Sequence, residues 1–205
     1  MKVGRLSDLN DPMDCSPRLV NYPARHVDVL NDKFEQEVII AAAQTMGLLC
    51  FSEAVRDPVV WSHYADCHRG IALGFIFRHG ETVFPVRYQR DRAQLDYNAL
   101  TSPDPKALAN GLEQGFTAKA SSWSYEKEHR IFVRLDSCKM VGEHYFLPIP
   151  KSAFIQVVLG IRCPFFATDI VRLLGDLSGV QVLRAQMNQL SYAIDLHGEC
   201  EKKLD

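Results

Sequence analysis

Polar and aromatic side chains are concentrated in the segment 61–70, which reads WSHYADCHRG and lies between two apolar runs. If this segment begins as a helix, His63 and Cys67 share one face, because side chains four residues apart are neighbours on a helix. By the same spacing, Tyr64 and His68 share a second face. Groups of these types are suited to acid–base chemistry or to holding a polar ligand. The segment is therefore the first candidate site.

A structural interpretation of this segment stays open beside the chemical one. Trp61 and Tyr64 fit core aromatics whose polar tips bond the backbone, and His63 fits a buried histidine with satisfied hydrogen bonds. A metal site would recruit His63, Cys67, His68 and either Glu128 or His129. No pair of these residues has the spacing of a known structural zinc site, so we expect no metal.

The second candidate segment is 123–130, WSYEKEHR, which leads directly into the apolar run IFVRL. Side chains alternate on a strand, so one face would carry Glu126, Glu128 and Arg130. Two carboxylates beside an arginine suit a site that binds a polar substrate and stabilises a developing cation. The alternative is a solvated edge strand with a cross-strand ion pair.

Apolar and alternating runs predict the strands that would position these segments. They cover 2–6, 48–53, 70–77, 83–89, 129–135, 145–150 and 154–161, with a closing hairpin of 180–187 and 192–196. Helical spacing predicts helices over 27–46, from Asp57-Pro58 to about residue 66, as one helix over 90–118, and within 163–177.

Strands outnumber helices in this pattern without a regular βαβα alternation. We therefore expect an α+β fold with mixed, mostly antiparallel sheets and a few packed helices. No repeat, low-complexity tract or flexible linker divides the chain, so one domain over 1–205 is expected. Asn10-Asp11-Pro12 is a turn or capping sequence, for which we favour a structural role.

The formal net charge is -2 and the pI is near 6.4, so no overall positive field attracts the protein to nucleic acid or anionic membranes. The 6 cysteines form no CxxC pair, which favours reduced thiols. No apolar run approaches the roughly 18 residues of a membrane helix, and the first residues contain no signal sequence. These features predict a cytoplasmic protein without membrane association.

The same segments resemble the domain of unknown function 2971 family. The resemblance rests on LNDPMDC (9–15), CFSE (50–53), WSHYADCHRGIALGF (61–75), VRY (86–88) and KASSWSYEKEHRIF (119–132). Members of that family are bacterial and phage proteins of largely unassigned biochemistry. They commonly begin with a further strand and helix before the Asn-Asp-Pro segment, so we expect either a short variant or an incomplete N-terminus.

A more distant resemblance is to ADP-ribosyltransferases, in the order of a polar strand (CFSE), a Tyr-containing turn and a Glu-x-Glu that enters a strand. This resemblance implies NAD as a co-substrate, with Glu128 as the glutamate that stabilises the oxocarbenium-like transition state. It implies catalytic roles for Glu128, Glu126, His63 and Tyr64. It implies NAD binding by Ser52, Arg69, Trp61 and Arg130. The N-terminal His or Arg strand of such enzymes has only Arg5 as a counterpart here.

Three functions therefore remain open at the level of sequence. The first is an NAD-dependent ADP-ribosyltransferase-like toxin or phage-defence effector that acts on a protein or nucleic-acid target. The second is a hydrolase or nuclease that uses His63, Asp66, His68 and Glu128 for acid–base or metal-assisted chemistry. The third is a non-enzymatic module that binds a small nucleotide or a partner protein.

Overall fold

Two units organise the chain, as described by a computed structural model for residues 1–21, 37, 40–41, 44–77, 83–177 and 179–198. Unit 1 consists of Met1–Phe51 and Thr82–Pro148, and unit 2 consists of Ser52–Glu81 and Ile149–Asp205. This division into compact units does not test whether residues 1–205 form one domain, so the single domain stays a prediction. Most of the helix predicted for 27–46 lies outside the described residues.

Unit 1 is built on a six-stranded sheet. Its strands are β1 (Lys2–Arg5), β3 (Met46–Ser52), β5 (Phe84–Pro85), β9 (Glu128–Arg134), β10 (Lys139–Val141) and β11 (His144–Phe146). Their order is β10-β11-β1-β3-β9-β5. Two parallel strand pairs accompany this sheet, namely β2 (Arg18–Val20) with β7 (Gln94–Asp96) and β6 (Arg87–Gln89) with β8 (Ala118–Ala120).

Two helices of unit 1 begin at aspartates. The Asp96 carboxylate caps the helix Tyr97–Leu100, and that of Asp104 caps Pro105–Phe116. Proline suits the first turn of a helix because the amide hydrogen it lacks has no partner there. Among the described residues of this unit, 3-10 helices lie at Leu6–Asp8, Ser121–Glu126 and Leu135–Ser137.

Three predicted elements of this unit differ from the structure. The single helix over 90–118 is instead a strand, two capped helices and a second strand, because Asp96 and Asp104 each start a new helix. The strand over 145–150 ends at Phe146, since Pro148 and Pro150 have no amide hydrogen to donate to a neighbouring strand. The run 83–89 also forms two short strands, interrupted at Val86.

Unit 2 contains a four-stranded sheet. Its strands are β4 (Ile71–Phe75), β12 (Phe154–Leu159), β13 (Gln181–Met187) and β14 (Ile194–Gly198), in the order β14-β13-β12-β4. Only β12 and β13 are parallel, and β13 with β14 forms the antiparallel pair predicted at the end of the chain. Its helices are Pro58–Tyr64, Ala167–Leu174 and the 3-10 helix Lys151–Ala153.

The apolar run Val157-Val158-Leu159 at the end of β12 reflects burial on both faces of this sheet. Val157 and Leu159 pack in one hydrophobic cluster and Val158 packs in another with Trp61. Antiparallel pairs outnumber parallel ones in the described sheets, and helices pack among them. The predicted α+β class with mixed sheets is therefore confirmed. No helix in the described part of the chain is long and apolar enough to cross a membrane.

Unit 2 also contains a very close backbone contact at Gly160. A Cβ atom added there would lie 2.2 Å from the His68 carbonyl oxygen and 2.9 Å from that of Gly70. The Gly160 amide donates to the Gly70 oxygen at 3.0 Å, so the two segments are held at this separation. Only glycine fits without a backbone shift.

We expect Gly160→Ala to lower the free energy of unfolding by about 2 kcal/mol or more, because the added methyl group overlaps a fixed carbonyl. Urea denaturation measures this change. Gly198→Ala is the matched control, since among the described residues its Cβ would meet only the Leu183 side chain, at 4.0 Å. Equal midpoints for the two variants would contradict the close contact.

Candidate functional site

Five charged side chains come together inside unit 1, and we call them the ion-pair cluster. They are Asp14, Lys119, Glu126, Glu128 and Arg130, all buried. Asp14 lies in the turn after Asn10-Asp11-Pro12, where its amide donates to the Asp11 carbonyl at 3.0 Å. Lys119 lies in β8 and Glu128 and Arg130 in β9.

Glu126 reaches the cluster by a different backbone path from the one predicted. It is the last residue of the 3-10 helix Ser121–Glu126, and Lys127 then adopts a left-handed conformation with φ 47° before β9 begins. Glu126 therefore lies outside the strand, and the strand face expected to carry Glu126, Glu128 and Arg130 carries only Glu128 and Arg130. The left-handed residue turns the chain so that Glu126 still converges with Glu128 and Arg130, whose side chains share one face of β9 by strand alternation.

Arg130 is the centre of the hydrogen bonding. Its Nε donates to Glu128 Oε1 at 2.7 Å and its Nη2 to Glu128 Oε2 at 3.0 Å. Nη2 also donates to both Asp14 oxygens at 2.9 and 2.8 Å, and Nη1 donates to the Phe116 carbonyl at 2.8 Å. The planar guanidinium thus bridges two carboxylates and a helix end, a geometry that lysine cannot supply.

The Lys119 ammonium contacts all three carboxylates of the ion-pair cluster. Its Nζ lies 2.7 Å from Glu126 Oε2, 3.1 Å from Glu128 Oε2 and 3.4 Å from Asp14 Oδ2. The same ammonium lies 4.8 Å from the centre of the Trp123 ring, which is a cation–π distance. Lys119 therefore joins the buried cluster to an aromatic side chain.

Electrostatics hold Glu128 and Lys119 in their charged forms. Burial alone would raise the pKa of the Glu128 carboxyl, but hydrogen bonds and charge from Arg130, with the charge of Lys119, outweigh it and lower the pKa from 4.5 to about 2. Burial would lower the pKa of Lys119, but Glu126, Glu128 and Asp14 outweigh it and raise that pKa. Glu128 is accordingly ionised at neutral pH.

Two cysteines and a tyrosine surround the ion pairs. Burial raises the pKa of the Cys15 thiol to about 12. Enclosure of its sulfur and the Glu128 charge raise the pKa of Cys50, although that residue as a whole retains exposed surface. The Glu128 amide donates to the Tyr88 hydroxyl at 2.7 Å. Thiols with raised pKa values are poor nucleophiles, so they supply packing and hydrogen bonds here.

The solvated edge strand considered for Glu126, Glu128 and Arg130 is wrong, because their exposed fractions are 3%, 6% and 0%. Glu128 makes a bidentate pair with Arg130 and a further contact with Lys119. An ionised carboxylate so tightly paired is a weak general base, because the neighbouring cations stabilise its form without a proton.

A cavity of about 300 Å³ opens beside Lys119 in unit 1, and we call it the Trp123 cavity. Its charged and aromatic lining residues are Asp11, Arg90, Asp91, Arg92, Lys119 and Trp123. Asp11 Oδ2 accepts a hydrogen bond from Trp123 Nε1 at 2.7 Å, which fixes the indole. Asn10-Asp11-Pro12 therefore orients this ring in addition to shaping a turn.

The remaining predicted site residues belong to unit 2. Trp61 is in its core, where Nε1 donates to the Val55 carbonyl at 2.7 Å. His63 and Tyr64 are exposed on the helix Pro58–Tyr64. Ser52 Oγ accepts a hydrogen bond from the Ala54 amide at 3.0 Å, and Arg69 is exposed. Their proposed roles stay predictions.

The predicted helical pairing of His63 with Cys67 and of Tyr64 with His68 is wrong. The helix ends at Tyr64, and Asp66, Cys67 and His68 all have positive φ angles of 44°, 50° and 70°. Three consecutive left-handed residues other than glycine are costly, and the contacts of this turn hold them. Among these contacts, the amides of His68 and Arg69 donate to the carbonyls of Trp61 and Asp66.

Sequence reasoning assigned no site role to Asp14 or Lys119. Both lie inside segments that carried the family resemblance, LNDPMDC and KASSW, and that coincidence was the only available signal. Neither residue lies in the same predicted helix or strand as Glu128 and Arg130. The alternation of side chains along one element therefore could not predict that these residues meet. In the described ranges, no group of three or more His, Cys, Asp or Glu side chains is arranged to hold a metal ion.

Residues 60–131, about a third of the chain, match the model of the family described as Protein of unknown function (DUF2971). The predicted resemblance to that family is confirmed over this segment, which contains Lys119, Glu126, Glu128 and Arg130. No curated protein and no solved structure shows significant similarity to the chain.

We expect Arg130→Met to lower the free energy of unfolding by roughly 3–5 kcal/mol, because it leaves Asp14 and Glu128 buried without their main partner. Urea denaturation at neutral pH measures the effect. Arg134→Met, which removes an arginine from an exposed pair with Asp136, should cost less than about 1 kcal/mol. Similar losses in both variants would show that the cluster is not the centre of stability in unit 1.

Stability should also fall in acid because of Glu128. Its pKa is lower in the folded chain than the ordinary 4.5, so its contribution is complete above that value and is lost as pH falls toward about 2. We expect the urea midpoint to fall less steeply over this range in Glu128→Gln than in the unsubstituted chain. Exposed Glu143→Gln is the control and should leave the slope unchanged; equal slopes for all three would contradict the assignment.

Proposed function

We propose that the protein binds a small nucleotide in the Trp123 cavity. The observation that carries this proposal is the convergence of an oriented indole, exposed arginine and buried ion pairs on one cavity of about 300 Å³. Cavities of roughly 300–1,000 Å³ with a few fixed polar groups are typical of small-ligand sites.

The lining matches the three chemical parts of a nucleotide. Arg90 and Arg92 offer guanidinium groups for phosphate, because the planar fork of donors fits phosphate oxygens. Asp11 and Asp91 offer carboxylates that accept hydrogen bonds from ribose hydroxyls. Trp123 offers an aromatic surface for the base. A ligand with only one of these features would leave part of the lining unused.

Several of these side chains are fixed before any ligand arrives. Trp123 is bound to Asp11, and Lys119 is bound to three carboxylates of the ion-pair cluster. Arg92 donates from Nε and Nη2 to the Ser16 carbonyl at 2.9 and 2.7 Å. A site whose side chains are already ordered loses less conformational entropy on binding. Arg90, by contrast, makes no hydrogen bond or ion pair with the described residues and remains available to a ligand.

ADP-ribosyl transfer from NAD, as by a toxin or phage-defence effector, is a second candidate. One observation favours it, namely that Glu126 and Glu128 direct their Oε2 atoms to the same ammonium, that of Lys119, which lines the cavity. For catalysis, Glu128 would have to exchange part of this ion pairing for a ribose hydroxyl. No observation of this kind favours the hydrolase or nuclease alternative, which stays a prediction.

Calorimetric titration of the full chain with AMP and with NAD tests the proposal. We expect binding of at least one of them, weakened about tenfold by Arg90→Gln, because a charged hydrogen bond to phosphate contributes about 1.4 kcal/mol or more. Trp123→Ala should weaken binding of the nucleotide while leaving any binding of inorganic phosphate unchanged.

Lys139→Gln is the matched control, because it removes one exposed positive charge from β10 of the same unit. It should leave the affinity unchanged. Absence of binding at about 1 mM nucleotide would overturn the proposal. Nicotinamide release from NAD, abolished by Glu128→Gln in a variant that still binds NAD, would establish the second candidate; binding without release would leave a binding module.

A further inference from the structure

Unit 2 contains a second cavity, of about 580 Å³, which we call the His68 cavity. One wall is formed by Pro58, His68 and the turn at Ile161 and Arg162, and the other by the connection between β13 and β14. Its volume falls in the range of small-ligand sites, roughly 300–1,000 Å³. The cavity uses none of the residues of the ion-pair cluster.

The second wall is an ordered surface of apolar side chains. Asn188 Oδ1 accepts hydrogen bonds from the amides of Leu190 and Ser191 at 2.9 and 2.8 Å, and Asn188 Nδ2 donates to Asp195 at 2.9 Å. This loop nevertheless exposes Leu190 by 97% and Met187 by 77%. Burial of these apolar side chains against a ligand would be favourable, because it removes apolar surface from water.

The first wall supplies a cation and a neutral imidazole. The Arg162 guanidinium is exposed and makes no hydrogen bond or ion pair with the described residues, although its amide is fixed by the His68 carbonyl at 2.9 Å. His68 stacks on Trp61 with ring centres 6.4 Å apart, and its Nε2 lies 3.3 Å from Ser62 Oγ. Burial, and then the charge of Arg162, lower the pKa of His68, which keeps the ring neutral at neutral pH.

One polar atom of this wall lacks a partner. Within the described residues, His68 Nδ1 is shielded from solvent and makes no hydrogen bond. None of the described residues that line the cavity carries a carboxylate, so the charge of Arg162 is not neutralised there. An anionic ligand would supply the missing charge.

We propose that the His68 cavity binds a small organic anion with an apolar body, of the class of medium-chain or aromatic carboxylates. The carboxylate pairs with Arg162, and the apolar body covers Met187, Leu190 and Tyr192. Burial of this apolar surface supplies affinity, and the guanidinium supplies selectivity for the anion. This inference is independent of the nucleotide proposed for unit 1.

Octanoate and its uncharged counterpart 1-octanol are the probes, titrated into the full chain and followed by calorimetry and by the NMR signals of unit 2. We expect octanoate to bind at least about tenfold more tightly than 1-octanol, because the carboxylate gains a charged hydrogen bond. Arg162→Gln should remove this preference. Leu190→Ser should weaken both probes, because it removes apolar surface without changing charge.

Arg172→Gln is the matched control, since Arg172 is an exposed arginine on the helix Ala167–Leu174 of the same unit. It should bind both probes as the unsubstituted chain does. Arg162 and Leu190 are exposed, so thermal unfolding should give unchanged midpoints for their variants. Equal affinity for octanoate and 1-octanol, an unchanged preference in Arg162→Gln, or no binding of either probe would each overturn the proposal.

Discussion

Arg130 places a permanent positive charge in the interior of unit 1, where its residue has no exposed surface. A guanidinium keeps its proton in proteins, so the surrounding chain must compensate a charge that costs several kcal/mol to remove from water. Asp14 and Glu128 provide this compensation, and the Phe116 carbonyl accepts a further hydrogen bond. A loop, a strand and a helix end are thus fixed in position by one side chain.

This constraint links the stability of unit 1 to its proposed binding site. Glu128 holds Lys119 as well as Arg130, and Lys119 lines the Trp123 cavity beside the indole. The carboxylates that would be attractive catalytic groups are therefore occupied by neighbouring cations. Their ion pairs fix Lys119 in the wall of the cavity, and this is the physical reason why we propose binding rather than proton transfer.

In unit 2, the backbone is strained at three consecutive residues. Asp66, Cys67 and His68 adopt left-handed conformations that favour glycine, yet the segment is held by hydrogen bonds and by the close approach of Gly160. The result is an imidazole held flat against Trp61 at the edge of a cavity. The density of polar residues in 61–70 is thereby explained in part by packing, since Trp61 and His68 form one stacked pair within the unit.

The sequence by itself determined the α+β class, the closing antiparallel pair at 180–196 and the importance of Glu126, Glu128 and Arg130 as a group, because alternation and apolar runs depend on neighbours along the chain. It also determined the start of the helix Pro58–Tyr64 through Asp57. Only the tertiary structure decided that Asp14 and Lys119 complete the cluster, since Asp14 and Arg130 meet across 116 residues of sequence. Burial, which turns these charges from surface groups into a fixed network, arises from the packing of distant segments and has no local signature in sequence.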